Sequence, residues 1–306
     1  MNHQSMFKII IAITLMAASG AHAAVQVFAC EPEWAALAGE IAGANVEATS
    51  ATNALQDPHY IQARPSLIAG IRKADLLICS GSGLEAGWLP VLLGKGNNPK
   101  VQPGQPGNLM ASQYVNRLEI PAVLDRAQGD MHAEGNPHIQ TDPRNLAVVA
   151  KVIAQRLQQI DPTNAQHYQQ GLAAFEDKWT KAIAEWQRQA APLRGKSVVV
   201  HHKSWTYLNN WLGLVEVATL EPKPGVPPSA AHLEELLVQL KTTPAALIIR
   251  APYQDAQPSE WLTKQTGIPN ALLPGTVGGT PDAGDLYSLF DTTIRTLLDK
   301  MGTHNE

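Results

Sequence analysis

From Asp142 to Ala191 the chain has almost no strand signal, while strand-like and helix-like patterns alternate on both sides of that stretch. Its first part, "DPRNLAVVAKVIAQRLQQI", reads as one helix. Asp142 is the expected N-cap and Pro143 the first helical residue, where a missing N–H costs nothing. "DPTN" then restarts a second, longer helix. In it Tyr168, Leu172, Phe175, Trp179, Ile183 and Trp186 recur at three- and four-residue steps, which makes one apolar stripe. A helix of about 28 residues would be roughly 40 Å long, enough to run along two lobes. So stiff a spine favours small motions over wide hinge closure.

The flanks repeat one another. "VQVFACEPEWAALAGEIAG" opens the first and "KSVVVHHKSWTYLNNWLGL" the second, each a short β-rich run followed by a helical pattern. Further strand candidates are "VEATS", "ADLLICS" and "NRLEI" in the first half, then "VEVATL", "AALIIRA" and "NALLP" in the second. Helical patterns such as "SLIAGIRKA", "EAGWLPVLLGKG", "AHLEELLVQLKTT" and "QPSEWLTKQTG" lie between them. Alternation of this kind argues for βα units and parallel sheets. The expected fold is α/β: an N-terminal lobe over 24–160, a long linking helix over 161–194, and a C-terminal lobe over 195–306.

The chain start, "MNHQSMFKIIIAITLMAASGAHA", has one lysine, an apolar run from Ile9 to Ala18, and small residues at Ala21 and Ala23. That is the pattern of a secretory leader cleaved after about Ala23, and the apolar run is well short of the roughly 20 residues needed to span a bilayer. An exported, periplasmic protein is therefore expected, and a disulfide is permitted there. Cys30 and Cys79 each end a strand-like run, so parallel neighbouring strands would bring both to one sheet edge. The alternative is two separate buried thiols; compartment and parity favour the bridge. A net charge of −4 over 306 residues gives no support for nucleic-acid binding.

Of the ten histidines, His3 and His22 leave with the leader and His304 is in the tail. His167 and His232 lie in helical patterns and read as surface or cap residues. His59, His132, His138, His201 and His202 stand at the ends of βα units or in the loops between them. His59 in "LQDPHYIQARPS" and His138 in "GNPHIQTDPRN" repeat one device, Asx-Pro-His, in which the proline presents the histidine on a stiff turn. His201 and His202 follow the strand "SVVV", and strand carboxyl ends are where open α/β sheets bind ligands. Alternation sends their side chains opposite ways, and His202 is the one expected to face the cleft. Late in the chain Asp285 follows the Gly-rich "TVGG" turn region and precedes an amphipathic helix. It reads either as a site carboxylate or as an N-cap, with Asp282 the competing acid. The stretch "LEPKPGVPPS" is too proline-rich for helix or central strand, so it is a semi-rigid extended passage.

Taken together, "DPHYIQARPS", "ADLLICSGSGLEAGWLP", "GNPHIQTDPRN", "VVVHHKSWTYL", "LEPKPGVPPS" and "TVGGTPDAGDLYSLFD" resemble the periplasmic solute-binding proteins of zinc and manganese ABC importers. The likeness covers essentially the whole chain after the leader. It implies a metal site in an interlobe cleft, with the family's three histidine ligands falling on His59, His138 and His202. Two departures stand out. Many members have Thr-Asp-Ser after the last strand, where this chain has Val277-Gly278-Gly279 after Thr276, so a fourth ligand from Asp285 is an inference rather than a match. Many zinc members also carry a long histidine-rich insertion, here reduced to Asp130, His132 and Glu134. The resemblance places the proline-rich passage close to the cleft, as a wall of the site with Glu221 as partner to a ligating histidine; the alternative reading is a surface linker.

Three imidazoles and one carboxylate suit Zn²⁺, whereas manganese prefers more oxygen ligands. The leading expectation is a monomeric, non-enzymatic protein that captures Zn²⁺ and hands it to an ABC transporter permease, with a periplasmic metal chaperone as a further candidate partner. A manganese-binding homologue is one alternative. A zinc hydrolase is the other, because an open zinc position can generate hydroxide; no His-Glu-x-x-His or Gly-x-Ser-x-Gly segment supports it.

Overall fold

In the computed structural model, residues 23–123, 129 and 131–302 are described. Residues 1–22, where the leader is expected, Asp130 and His304 lie outside them. The N-terminal half runs β1 (Val25–Ala29), α1 (Pro32–Ala42), β2 (Val46–Ser50), α2 (Pro65–Lys73), β3 (Leu76–Cys79), α3 (Leu89–Gly96) and β4 (Asn108–Met110). Two helices follow, α4 (Pro143–Ile160) and α5 (Ala165–Gln189). The C-terminal half then runs β5 (Ser197–Val200), α6 (Thr206–Leu212), β6 (Val215–Thr219), α7 (Ala230–Thr242), β7 (Leu247–Arg250), α8 (Gln257–Thr266), β8 (Asn270–Leu272) and α9 (Leu286–Met301). No helix among the described residues is long and apolar enough to cross a membrane.

Each half contains one four-stranded parallel sheet, ordered β2-β1-β3-β4 and β6-β5-β7-β8. The central strands are buried and apolar, as parallel strands covered on both faces must be. Along β1, alternation divides the side chains. Val27 and Ala29 join the core under α1 and α4, while Phe28 joins Leu67, Ile71, Leu89 and Leu92 beneath α2 and α3. The second sheet does the same, with Val199 and Ile248 turned toward α7 and α8 and Val198 and Ile249 toward the centre. The inner faces of both sheets feed one continuous core that includes α4 and α5.

The helical pair holds the halves together as its pattern predicts. Asp142 caps α4, accepting from the Arg144 N–H, with Pro143 in the first turn. On α5, Tyr168, Phe175, Trp179 and Trp186 of the stripe are buried, and Leu172 and Ile183 pack against the same core. Trp179 Nε1 donates to Pro143 O at the start of α4, 2.8 Å away, and Trp186 Nε1 donates to Asp291 Oδ1 on α9 at 2.6 Å. At Gly171 the helix passes so close to α1 that a Cβ would lie 1.9 Å from Ile41 O. Only glycine permits that approach.

Cys30 and Cys79 are bridged, with Cα atoms 4.8 Å apart at the carboxyl ends of the adjacent strands β1 and β3. One expected strand is corrected. "NRLEI" (116–120) is irregular, and Asn108–Met110 pairs with β3 in its place. Glu119 has φ +53°, and the Leu118 N–H donates to Tyr207 Oη at 3.0 Å, so these backbone groups serve the contact with the C-terminal half instead of a ladder. The three-residue β4 is too short to carry an alternation.

Candidate metal centre

Both Asx-Pro-His turns are built on the same hydrogen bond. Asp57 Oδ1 accepts the His59 backbone N–H at 3.0 Å, and Asn136 Oδ1 accepts the His138 backbone N–H at 3.0 Å. The side chain two residues ahead thus closes an Asx turn around the proline and fixes the histidine backbone. The two turns differ in what else the Asx residue does. Asp57 Oδ1 also lies 2.7 Å from His59 Nδ1. Asn136 Nδ2 instead donates to Lys203 O of the C-terminal half at 2.7 Å and to Glu119 Oε2 of its own half at 2.9 Å. Tyr207 Oη donates to Asn136 O at 2.8 Å, a further tie between the halves.

His202 stands two residues beyond β5, and its Nδ1 lies 2.7 Å from Glu221 Oε2. Glu221 heads the proline-rich passage and is itself fixed. Its backbone N–H donates to His201 O at 3.0 Å, and its Oε2 accepts the Gly225 N–H at 2.9 Å. Gly225 has φ +75°, within a turn closed by a Lys223–Val226 bridge. The passage is therefore a wall whose shape positions one carboxylate.

The three rings form a nearly equilateral triangle. Centroids are 5.4 Å apart for His59 and His138, 5.3 Å for His59 and His202, and 5.5 Å for His138 and His202. One nitrogen from each lies within 4.8 Å of the other two. Carboxylate acceptors make Nδ1 the protonated nitrogen of His59 and His202, which leaves the Nε2 lone pair of each. His138 Nε2 is buried and has no hydrogen-bond partner. Burial, then the neighbouring His59, His202 and His132, hold the His138 pKa well below its ordinary value, so its ring is neutral at neutral pH. Burial pushes the Asp57 carboxyl up, but hydrogen bonds from the His59 ring and backbone outweigh this and keep it below its usual range. An orphaned buried nitrogen beside two further imidazoles backed by carboxylates is the donor chemistry of a transition-metal site.

The remaining candidates stand elsewhere. His201 is 5% exposed and lines a cavity of about 320 Å³ that also borders Asp57, His202 and Glu221, but it is outside the triangle. His167 Nε2 pairs with Ala42 O and His232 Nε2 with Thr219 O, each at 3.0 Å. Asp285 is the N-cap of α9. Its Oδ1 accepts the Ser288 N–H at 2.7 Å, and Ser288 Oγ accepts the Asp285 N–H in return at 2.9 Å, a reciprocal capping box. Those bonds lower its pKa, the Ser288 backbone first. Asp282 is exposed and pairs with Arg295 at 3.2 Å. Among the described residues neither carboxylate joins the three-histidine group.

His132, read from sequence as a loop histidine and a remnant of the histidine-rich insertion, has its Nε2 3.3 Å from His59 Nε2. Sequence reasoning missed a set of buried acids beside the site, Glu31, Glu33 and Glu85 at 4%, 1% and 3% exposure. Glu31 and Glu33 line a small cavity shared with His138, and Thr276 Oγ1 donates to Glu33 across the halves. "CEPEW" gave no sign that its acids would be buried, since charge in a turn normally reads as solvated.

Comparison with known proteins identifies the family and the fold. Residues 27–300 match the family model described as zinc-uptake complex component A, periplasmic (ZnuA). The manganese ABC transporter substrate-binding lipoprotein PsaA of Streptococcus pneumoniae is 26% identical over 255 residues, covering 81% of this chain and 79% of PsaA. The zinc-binding lipoprotein AdcA of the same species is 26% identical over 238 residues, but the match spans only 46% of AdcA's length and 76% of this chain. A crystal structure of ZnuA superposes with TM-score 0.76 at 23% identity, covering 92% of this chain and all of that one. A periplasmic metal-binding protein from Candidatus Liberibacter asiaticus superposes with TM-score 0.71 at 17% identity, covering 90% and 98%. At these identities the structural likeness concerns the fold.

Proposed function

The chain belongs to the periplasmic zinc-uptake component A family, and on that premise we propose that it captures Zn²⁺ outside the cytoplasm and delivers it to the membrane permease of an ABC importer. The observation that carries the reading is the triangle of His59, His138 and His202, two from the N-terminal half and one from the C-terminal half. Zinc bound by the three Nε2 atoms ties the halves at the cleft. Asp57 and Glu221 hold the Nδ1–H of their histidines, which fixes each ring and raises its basicity toward the metal. His138 needs no deprotonation, because burial already keeps it neutral.

A set of three imidazole donors favours zinc over manganese, which prefers oxygen. Kinship with the manganese protein PsaA makes manganese the reading to test against. The role is that of a carrier: zinc is cargo, and no catalytic step is assigned to it. The protein acts as a monomer exported by its leader. Metal analysis of protein purified from the periplasm, followed by competition between Zn²⁺ and Mn²⁺, tests this. One zinc per chain, not displaced by excess manganese, is expected; preferential retention of manganese overturns the zinc assignment.

A further inference from the structure

We propose that His132 is a fourth nitrogen donor to the metal, so that the bound ion is held by four imidazoles. The proposal rests on the zinc-carrier reading and concerns the coordination position that the three histidines leave open. A four-coordinate zinc needs one more donor. Asp57 is committed to His59 and Glu221 to His202 and Gly225; Glu31 and Glu33 line a cavity with His138 and each keeps one unpartnered oxygen, but neither joins the three-histidine group.

His132 stands beside the triangle, its Nε2 3.3 Å from His59 Nε2 and its ring centroid 5.4 Å from that of His59. It also shares a cavity of about 380 Å³ with His138 and His202. His59 spends its Nδ1–H on Asp57, so its Nε2 has only a lone pair to offer. The two Nε2 atoms thus face one another at the edge of the triangle, and the bound ion takes the place of their mutual contact.

The segment around His132 is built for close placement. Gly129, at φ +88°, passes so near the proline-rich wall that a Cβ would lie 2.4 Å from Pro224 O. Gly135, at φ +101°, returns its N–H to His132 O at 3.1 Å, and the next N–H, that of Asn136, donates to Leu118 O at 2.8 Å. Arg117 pairs with Glu134 at 3.1 Å. The ring itself lies against Gly83, where a Cβ would stand 3.4 Å from His132 Nδ1. A short turn touching both halves thus presents the imidazole at the mouth of the site. Four nitrogen donors also sharpen the choice of metal, since each oxygen replaced by imidazole disfavours manganese relative to zinc.

The full-length mature protein, labelled with ¹⁵N in its histidine rings and loaded with ¹¹³Cd²⁺, tests this without relying on a variant. Four ring nitrogens split by coupling to cadmium are expected, and three in His132→Gln. The same substitution should weaken zinc at least about tenfold, a loss typical even of groups one step removed from a metal, and should narrow the preference for zinc over manganese. Three split nitrogens in the wild type, with zinc affinity unchanged in His132→Gln, overturn the fourth donor and leave the carrier reading standing. A wild-type protein that binds no zinc overturns both.

Discussion

Asp57 and Asn136 occupy equivalent places ahead of two site histidines, yet only the aspartate grips a ring. Asp57→Asn keeps the Asx turn, because an amide oxygen still accepts the His59 N–H, but weakens the hold on Nδ1. Zinc affinity should fall about tenfold with the thermal midpoint nearly unchanged, as measured by chelator competition and calorimetry. Glu221→Gln should act alike on His202. His201→Ala should leave zinc affinity within about twofold, since a side chain outside the triangle contributes no metal bond. The triangle was legible at this scale because proline turns and strand alternation are local rules, and both apply to His59, His138 and His202. Asp285 was not, because an acid at a helix start has the same sequence signature whether it caps or ligates. His132 was singled out as a loop histidine, but its place beside His59 was not readable, because no residue pattern announces a loop folded back on a site.

The elements divide the roles cleanly. Asp285 belongs to α9, and its capping box with Ser288 satisfies N–H groups the helix leaves open. Asp285→Ala should therefore cost about 1 kcal/mol of stability and leave zinc affinity unchanged; an affinity loss without destabilisation would return it to the metal. The bridge between the ends of β1 and β3 closes a loop of 49 residues. Removing it by Cys30→Ala with Cys79→Ala should cost roughly 2–4 kcal/mol in a denaturant titration, and thiol titration of the unreduced, denatured wild type should find no free thiol. The βα alternation, the capped α4 and the striped α5 were readable because periodicity and capping act over a few residues. β4 was not readable, because a three-residue strand is fixed by its neighbour β3, and "NRLEI" was misread because its backbone is claimed by Tyr207 from the other half.

Across the whole molecule, the halves meet through one core, through Thr276 on Glu33, and through Asn136 and Tyr207 beside the histidines. Burial pushes Glu33 and Glu85 up to about 7, and Glu31 well above its ordinary value, with neighbouring acids adding to the rise at Glu31 and Glu33. A carboxyl whose folded pKa is raised stabilises the fold when protonated. That contribution is complete below the unfolded value near 4.5 and is lost as pH rises through about 7. Between about pH 4.5 and pH 7 these acids lower the thermal midpoint as pH rises, while the depressed His138 and His201 act with the opposite sign; Glu33→Gln should shift the slope of the midpoint against pH upward over that interval, and an unchanged slope contradicts the assignment. None of this was visible in the sequence, because burial of an acid is decided by the packing of distant segments.

The central claim is that one metal ion is held between the halves by His59, His138 and His202. His138 is the decisive position, because its Nε2 is buried without any other partner. Zinc titration of wild type and His138→Ala against a competing chelator reads the claim directly. The account predicts one tight zinc per wild-type chain and a loss of several kcal/mol in the variant, as expected when a metal bond is removed outright. Wild-type stoichiometry and affinity in a folded His138→Ala protein would contradict it.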